Sequence, residues 1–203
     1  MVGVGVGEII ALECAGAIVL PEKRNRITML GRGFKLISDI TTSEKLVSNC
    51  VNLSVVCADR ERLEAIFSRF GDQAIIACDQ TPELFTVSVD AHAAKNIEEA
   101  LAQESISFRR LPTVTKPFHT PKMAPYKQRF TEFYESAVSC EPSIPVYSCK
   151  TADIISGSLQ EIVNTAAEQW LSPLSISKTI EKLYDDGYRV FVELGARGVL
   201  TTC

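Results

Sequence analysis

No run of eighteen apolar residues occurs anywhere in this 203-residue sequence, so it offers no membrane-spanning helix. The opening Met1-Val2-Gly3-Val4-Gly5 has no basic region ahead of its apolar stretch and does not read as a signal peptide. An excess of positive charge is missing too. The net charge is −4 and the pI about 5.3, which argues against a nucleic-acid or anionic-membrane partner. Metal-ligand spacing is absent: there are two histidines, and the seven cysteines (Cys14, Cys50, Cys57, Cys78, Cys140, Cys149, Cys203) form no CxxC pair. An odd number of such thiols reads as reduced, mostly buried cysteines of a cytoplasmic protein, with no metal and no cofactor expected. Gly3, Gly5 and Gly7 could be taken for a phosphate-binding loop, but no full strand precedes them and Glu8 would face the phosphate. Neither an internal repeat nor a low-complexity tract is present.

What remains is a balance of 46% hydrophobic and 23% charged residues, enough for one sizeable core or a core with a small inserted subdomain. The opening segment reads as a short strand, a tight turn and a buried helix from Glu8, with Gly16 letting the chain leave that helix. A basic helix is expected from Pro21 to Lys35, its cluster Glu22-Lys23-Arg24-Asn25-Arg26 being a solvated face. From Val51 the pattern changes. Val51 to Cys57 reads as a strand, Asp59 caps a helix with the apolar stripe Leu63, Ile66, Phe67 and Phe70, and Ala74 to Ala77 is a second strand. Asp79 to Pro82 reads as a turn, Leu84 to Val89 as a third strand, Ala94 to Gln103 as a helix and Ile106 to Leu111 as a fourth strand. That order is the ferredoxin-like, split βαβ arrangement. Residues 51–112 are therefore expected to form a small α+β subdomain inserted into a larger α/β lobe made of 1–50 and 113–203. The larger lobe should hold parallel strands at the N-terminus, at Ile144 to Ser148 and at Arg189 to Leu194, with helices from Tyr126 to Val138, around Trp170 and from Ser177 to Tyr184.

Four stretches carry a family likeness. They are Gly3-Val4-Gly5-Val6-Gly7-Glu8 followed by Ala15-Gly16-Ala17; Pro117-Phe118-His119-Thr120-Pro121-Lys122-Met123; Ile144-Pro145-Val146-Tyr147-Ser148; and the closing Phe191-Val192-Glu193-Leu194-Gly195-Ala196-Arg197-Gly198-Val199-Leu200-Thr201. Taken in this order they resemble the G-H-S-x-G-E, A-F-H-S-P-x-M, strand and F-x-E-x-G-P-x-x-V-L-T motifs of the malonyl/acyl-CoA:acyl carrier protein transacylase family of polyketide and fatty-acid synthesis. The likeness covers essentially the whole chain. It implies an α/β-hydrolase-like parallel sheet with an inserted ferredoxin-like subdomain. It also implies a ping-pong transfer through an acyl-serine, with a carrier protein, a malonyl-type acyl-CoA and other synthase domains as partners.

Carried over residue by residue, the likeness puts Gly5 at the nucleophile and Val4 at the histidine before it. His119 falls at the general base, and Val6 at the oxyanion-holding N–H. Arg32 of Gly31-Arg32-Gly33 corresponds to the arginine that pairs with the substrate's free carboxylate, and Phe118 to the residue of malonyl-selective members. Lys116 and Pro117 depart from the small or aromatic residues usual there. Glycine has no hydroxyl, so the acyl-enzyme route is closed at position 5. The family also carries several tens of residues before the nucleophile strand, including a loop that completes the oxyanion hole; here three residues precede Val4. The expected function is therefore an acyltransferase-like domain defective in transfer. Alternatives are a fragment or variant of an active enzyme, or a module that binds acyl-CoA or a carrier protein without chemistry. Cys14, nine positions after Gly5, is expected to be a buried core thiol rather than a substitute nucleophile. His92 is expected at the surface.

Overall fold

The computed structural model describes residues 1–19, 23–42, 49–57, 59–112 and 116–195. Pro21, Glu22 and the stretch from Ala196 onward, parts of two motifs above, lie outside them. Strand β1 (Val2–Gly3) runs through the turn at Gly5 into helix α1 (Val6–Cys14), and α2 (Lys23–Thr42) follows. A close approach builds that first turn: a β-carbon on Gly3 would lie 2.2 Å from the Gly7 carbonyl oxygen, so only glycine fits at position 3.

The next elements are β2 (Cys50–Val56), α3 (Arg60–Phe67), β3 (Ala74–Thr81), β4 (Leu84–Asp90), α4 (Ala94–Gln103) and β5 (Ser107–Leu111). Asp59 caps α3 by accepting from the Arg62 N–H at 3.1 Å. The sheet order is β5-β2-β4-β3, antiparallel throughout, which is the split βαβ order. Alternation puts Leu53, Val55, Val87 and Val89 on the face that packs with Leu63 of α3 and Ile97 of α4. The opposite face carries Asn52, Ser54, Ser88 and Asp90, all buried although polar.

The chain then enters a 3₁₀ turn (Pro121–Tyr126), helix α5 (Lys127–Glu135), short strands β6 (Tyr147–Ser148) and β7 (Asp153–Ile154), and helix α6 (Leu159–Glu168). Ser158 and Glu161 form a capping box at the start of α6. Strand β8 (Leu174–Ser175) leads directly into α7 (Ile176–Asp185). β1 pairs parallel with β6, and β6 antiparallel with β7. α1, α2, α5 and α6 bury one apolar cluster that includes Leu12, Ile40, Phe130, Tyr134 and Trp170. A third, small cluster of Cys78, Cys149, Leu174 and Ile176 joins the two sheets.

The structure corrects four readings. Residues 189–194 make no ladder with any described strand, and Val190, Val192 and Leu194 are 84%, 77% and 92% exposed. An apolar run alone does not make a strand without a partner backbone to bond. Asp79 is not in a turn: β3 runs to Thr81, and β8 pairs with it through Cys78 and Asp79 as a fifth strand. Trp170 lies just beyond α6, not within it. Cys14 is exposed, because the buried face of α1 consists of Glu8, Ile9, Ala11 and Leu12. Of the described cysteines, Cys50, Cys57, Cys78 and Cys149 are buried and none forms a disulfide. Burial pushes the Cys149 thiol up to about 12.

Candidate active site

Gly5 sits between β1 and α1 at φ 58°, ψ −119°. An L-residue reaches that backbone region only under strain, as at the sharp strand-to-helix turn that lifts a nucleophile above a sheet. The turn is closed by hydrogen bonds from the Gly7 N–H to the Val4 carbonyl (2.9 Å) and from the Glu8 N–H to the Gly5 carbonyl (3.1 Å). Val6 opens α1, and its N–H is one of the helix-end donors that have no intrahelical acceptor.

The chain brings His119 to this turn. A β-carbon built on Gly5 would lie 3.5 Å from His119 Nε2 and 3.8 Å from Cε1, with no other group outside the adjoining chain within 4 Å among the described residues. The imidazole is fixed on its other side. Its Nδ1 donates to the Gln169 carbonyl at 2.7 Å, because a carbonyl can only accept. The neutral ring therefore carries its proton on Nδ1 and presents the Nε2 lone pair to position 5. The His119 N–H also donates to the Trp170 carbonyl at 3.0 Å, and the ring stacks on the Trp170 indole with centroids 5.4 Å apart. His119 itself has φ 61°, a strained left-handed conformation held by these contacts. Burial keeps its pKa below the ordinary 6.5, opposed in part by the Gln169 hydrogen bond.

Beneath the turn lies a buried polar group. The Gln169 side chain donates to the Gly5 carbonyl and to the Tyr134 hydroxyl, both at 3.3 Å, and Trp170 Nε1 donates to the same hydroxyl at 3.1 Å. Glu8 is wholly buried. One of its carboxyl oxygens accepts from Ser148 Oγ at 3.1 Å, and the other has no hydrogen-bond partner among the described residues. Desolvation raises its pKa to about 8, against the lowering effects of Ser148 and Lys150.

The other site residues read from the sequence are placed as follows. Phe118 packs edge-on against Trp170 at 5.7 Å, one residue from His119. Lys116 is buried, and its carbonyl accepts from Asn52 Nδ2 at 3.3 Å. Arg32 is exposed on α2, and its guanidinium donates to Ser136 Oγ at 3.0 Å, at the C-cap of α5. That contact is about 9 Å along the helix axis from Phe130, which stacks on Trp170. His92 is exposed. Gln169 and Tyr134 escape sequence reasoning because no motif marks them, and Ser148 closes the third family-like stretch without its bond to Glu8 being readable there; Gln169 and Trp170 hold His119 largely through backbone carbonyls that any residue supplies. No cluster of His, Cys, Asp or Glu among the described residues could hold a metal ion. Nor is any described helix long and apolar enough to cross a membrane.

Comparison with known proteins finds no matching family model. The chain is 26% identical over 203 residues to the malonyl CoA-acyl carrier protein transacylase of Bacillus subtilis, covering 98% of this chain and 61% of that protein. It is 24% identical over 200 residues to polyketide synthase GfsB of Streptomyces halstedii, covering 98% of this chain and 3% of that one. Among solved structures, the malonyl CoA-acyl carrier protein transacylase of Burkholderia pseudomallei superposes with a TM-score of 0.81 at 25% identity, over 99% of this chain and 67% of that one. The acyltransferase domain from the second module of the salinomycin polyketide synthase gives 0.77 at 26% identity, over 99% of this chain and 44% of that one. This chain thus spans under two thirds of the curated relatives named here.

Proposed function

We propose that this chain, an acyltransferase domain related to the malonyl-CoA:acyl carrier protein transacylases and the acyltransferase domains of polyketide synthases, binds acyl thioesters but does not transfer them through an acyl-enzyme. The juxtaposition of Gly5 and His119 carries this reading: a turn in nucleophile geometry faces an imidazole poised to take a hydroxyl proton, yet the turn residue has no hydroxyl. In serine hydrolases, removing the nucleophile of such a pair costs roughly six orders of magnitude in turnover. The thioester carbonyl would sit over the turn, with its oxygen toward the Val6 N–H. The acyl chain would lie along Phe118. In this reading the ligand is a malonyl-type acyl-CoA or the thioester of an acyl carrier protein, and Arg32 would have to leave Ser136 to pair with the free carboxylate.

Intact-protein mass spectrometry after incubation with malonyl-CoA tests the covalent part. The unmodified chain is expected to show no acyl adduct, and a stable malonyl adduct on any residue overturns it. Calorimetric titration with malonyl-CoA tests the binding part, and an isotherm with no saturable binding refutes it.

A further inference from the structure

Resting on the reading that acyl thioesters enter this cleft, we propose that the chain hydrolyses them in a single displacement, His119 activating a water molecule held beside Gly5 for direct attack on the thioester carbonyl. The geometry at position 5 is the starting point. Among the described residues a β-carbon there would meet only His119, with Nε2 at 3.5 Å. A hydroxyl on that carbon would fill the remaining distance, and glycine leaves that volume open on the side the Nε2 lone pair faces. A water molecule in it would sit about 2.8 Å from Nε2, an ordinary hydrogen bond. The Val6 N–H at the head of α1 lies on the same turn, so water and carbonyl oxygen are addressed by adjacent residues.

His119 is built for such a role in two further respects. The Nδ1 hydrogen bond to Gln169 and the stack on Trp170 fix its tautomer and its plane. The same hydrogen bond stabilises the imidazolium that forms when Nε2 takes a proton. The balance closes without a co-reactant other than water. Nε2 accepts a proton as the water oxygen bonds to the carbonyl carbon. The tetrahedral adduct then collapses, the C–S bond breaks, and the departing thiolate receives that proton from Nε2–H. The products are a carboxylic acid and a free thiol.

Water is favoured over a thiol acceptor by the loss of the covalent relay. In a two-step transfer the first thiol leaves before the second enters. Without an acyl-serine, a carrier thiol would have to share the cleft with the intact donor thioester, whereas water fits in the volume that glycine leaves.

The test is CoA release from malonyl-CoA and acetyl-CoA, followed with a thiol reagent, for the unmodified chain, His119→Gln and His92→Gln, purified identically and matched for fold by circular dichroism. Release by the unmodified chain should exceed that by His119→Gln by about 10²–10⁴-fold, the usual worth of a general base, and His92→Gln should match the unmodified chain. The rate should climb with pH through a midpoint below 6.5, as burial of His119 dictates, and be level at neutral pH. Reaction in ¹⁸O-water should place one ¹⁸O in the free acid. Equal release by His119→Gln, or no release above buffer, overturns the proposal. Malonyl-CoA that binds without being hydrolysed sinks the hydrolysis alone. If it does not bind, the reading of the cleft falls as well.

Discussion

Lys122 and Asp90 meet ammonium to carboxylate at 2.6 Å, joining the loop that carries His119 to the polar face of the five-stranded sheet. Their side chains are 19% and 12% exposed, so removing either partner strands a largely buried charge. Lys122→Met or Asp90→Ala should destabilise the fold by about 3 kcal/mol, while the double variant should lose less than the sum. Urea unfolding of the three variants gives the coupling directly. Strict additivity would mean that the pair is idle.

Two glycines of one turn should behave in opposite ways. Gly3→Ala pushes a β-carbon to 2.2 Å from the Gly7 carbonyl oxygen and should abolish folding or cost several kcal/mol (roughly 3 or more, as for severe overpacking). Gly7 has no atom of the other described residues, its own helix backbone aside, within 4 Å of its β-carbon position and lies within α1, so Gly7→Ala should stabilise by about 0.5–1 kcal/mol. Thermal melts of both variants decide the matter. A tolerated Gly3→Ala would mean that β1 does not approach α1 as described.

Glu8 predicts a stability that falls as pH rises. Its folded pKa of about 8 exceeds the ordinary 4.5, so between those values the folded chain keeps a proton that the unfolded chain has released. Stability from this group is therefore full below pH 4.5, declines up to about pH 8 and is level beyond it. Glu8→Gln should flatten that slope and be the more stable chain at pH 8. Chemical denaturation at several pH values reads this out, and parallel profiles for the two chains would refute it.

Asp79 is the meeting point of three donors: Ser175 Oγ at 2.8 Å, Ser177 Oγ at 2.7 Å and the Arg60 guanidinium at 3.2 Å. Asp79→Ala should cost about 2–4 kcal/mol, since it leaves partly buried donors without their acceptor. Hydrogen exchange should quicken first at β8 and the first turn of α7. An unchanged exchange pattern there would argue against Asp79 as the tie between β3 and that helix.

The small sheet was legible because its elements obey local rules. Alternation marked β2 and β4, Asp59 marked the start of α3, and α4 came out at Ala94–Gln103. The failures were those of context. Residues 189–194 are apolar enough to read as a strand, but an apolar run is silent about partners. Asp79-Gln80-Thr81-Pro82 has turn composition, yet β8 arrives from almost a hundred residues away to extend β3. In the site, motif residues such as Gly5 and His119 could be read, and the structure brings them together. Gln169 and Trp170 could not, because much of what they contribute is backbone geometry set by the end of α6. Arg32 keeps to its helix but bonds Ser136, a pairing that nothing in its local sequence announces.

Trp170 is the single tryptophan of the chain, and it lies nearly parallel to the His119 ring, 20° between planes. An excited indole readily gives up an electron to an imidazolium and much less readily to a neutral imidazole. All the tryptophan light this protein emits thus originates against the His119 ring. The emission of the native chain should dim on acidification as His119 gains its proton. The protein carries its own optical gauge of that residue, with no label to attach and no second fluorophore of its kind to subtract.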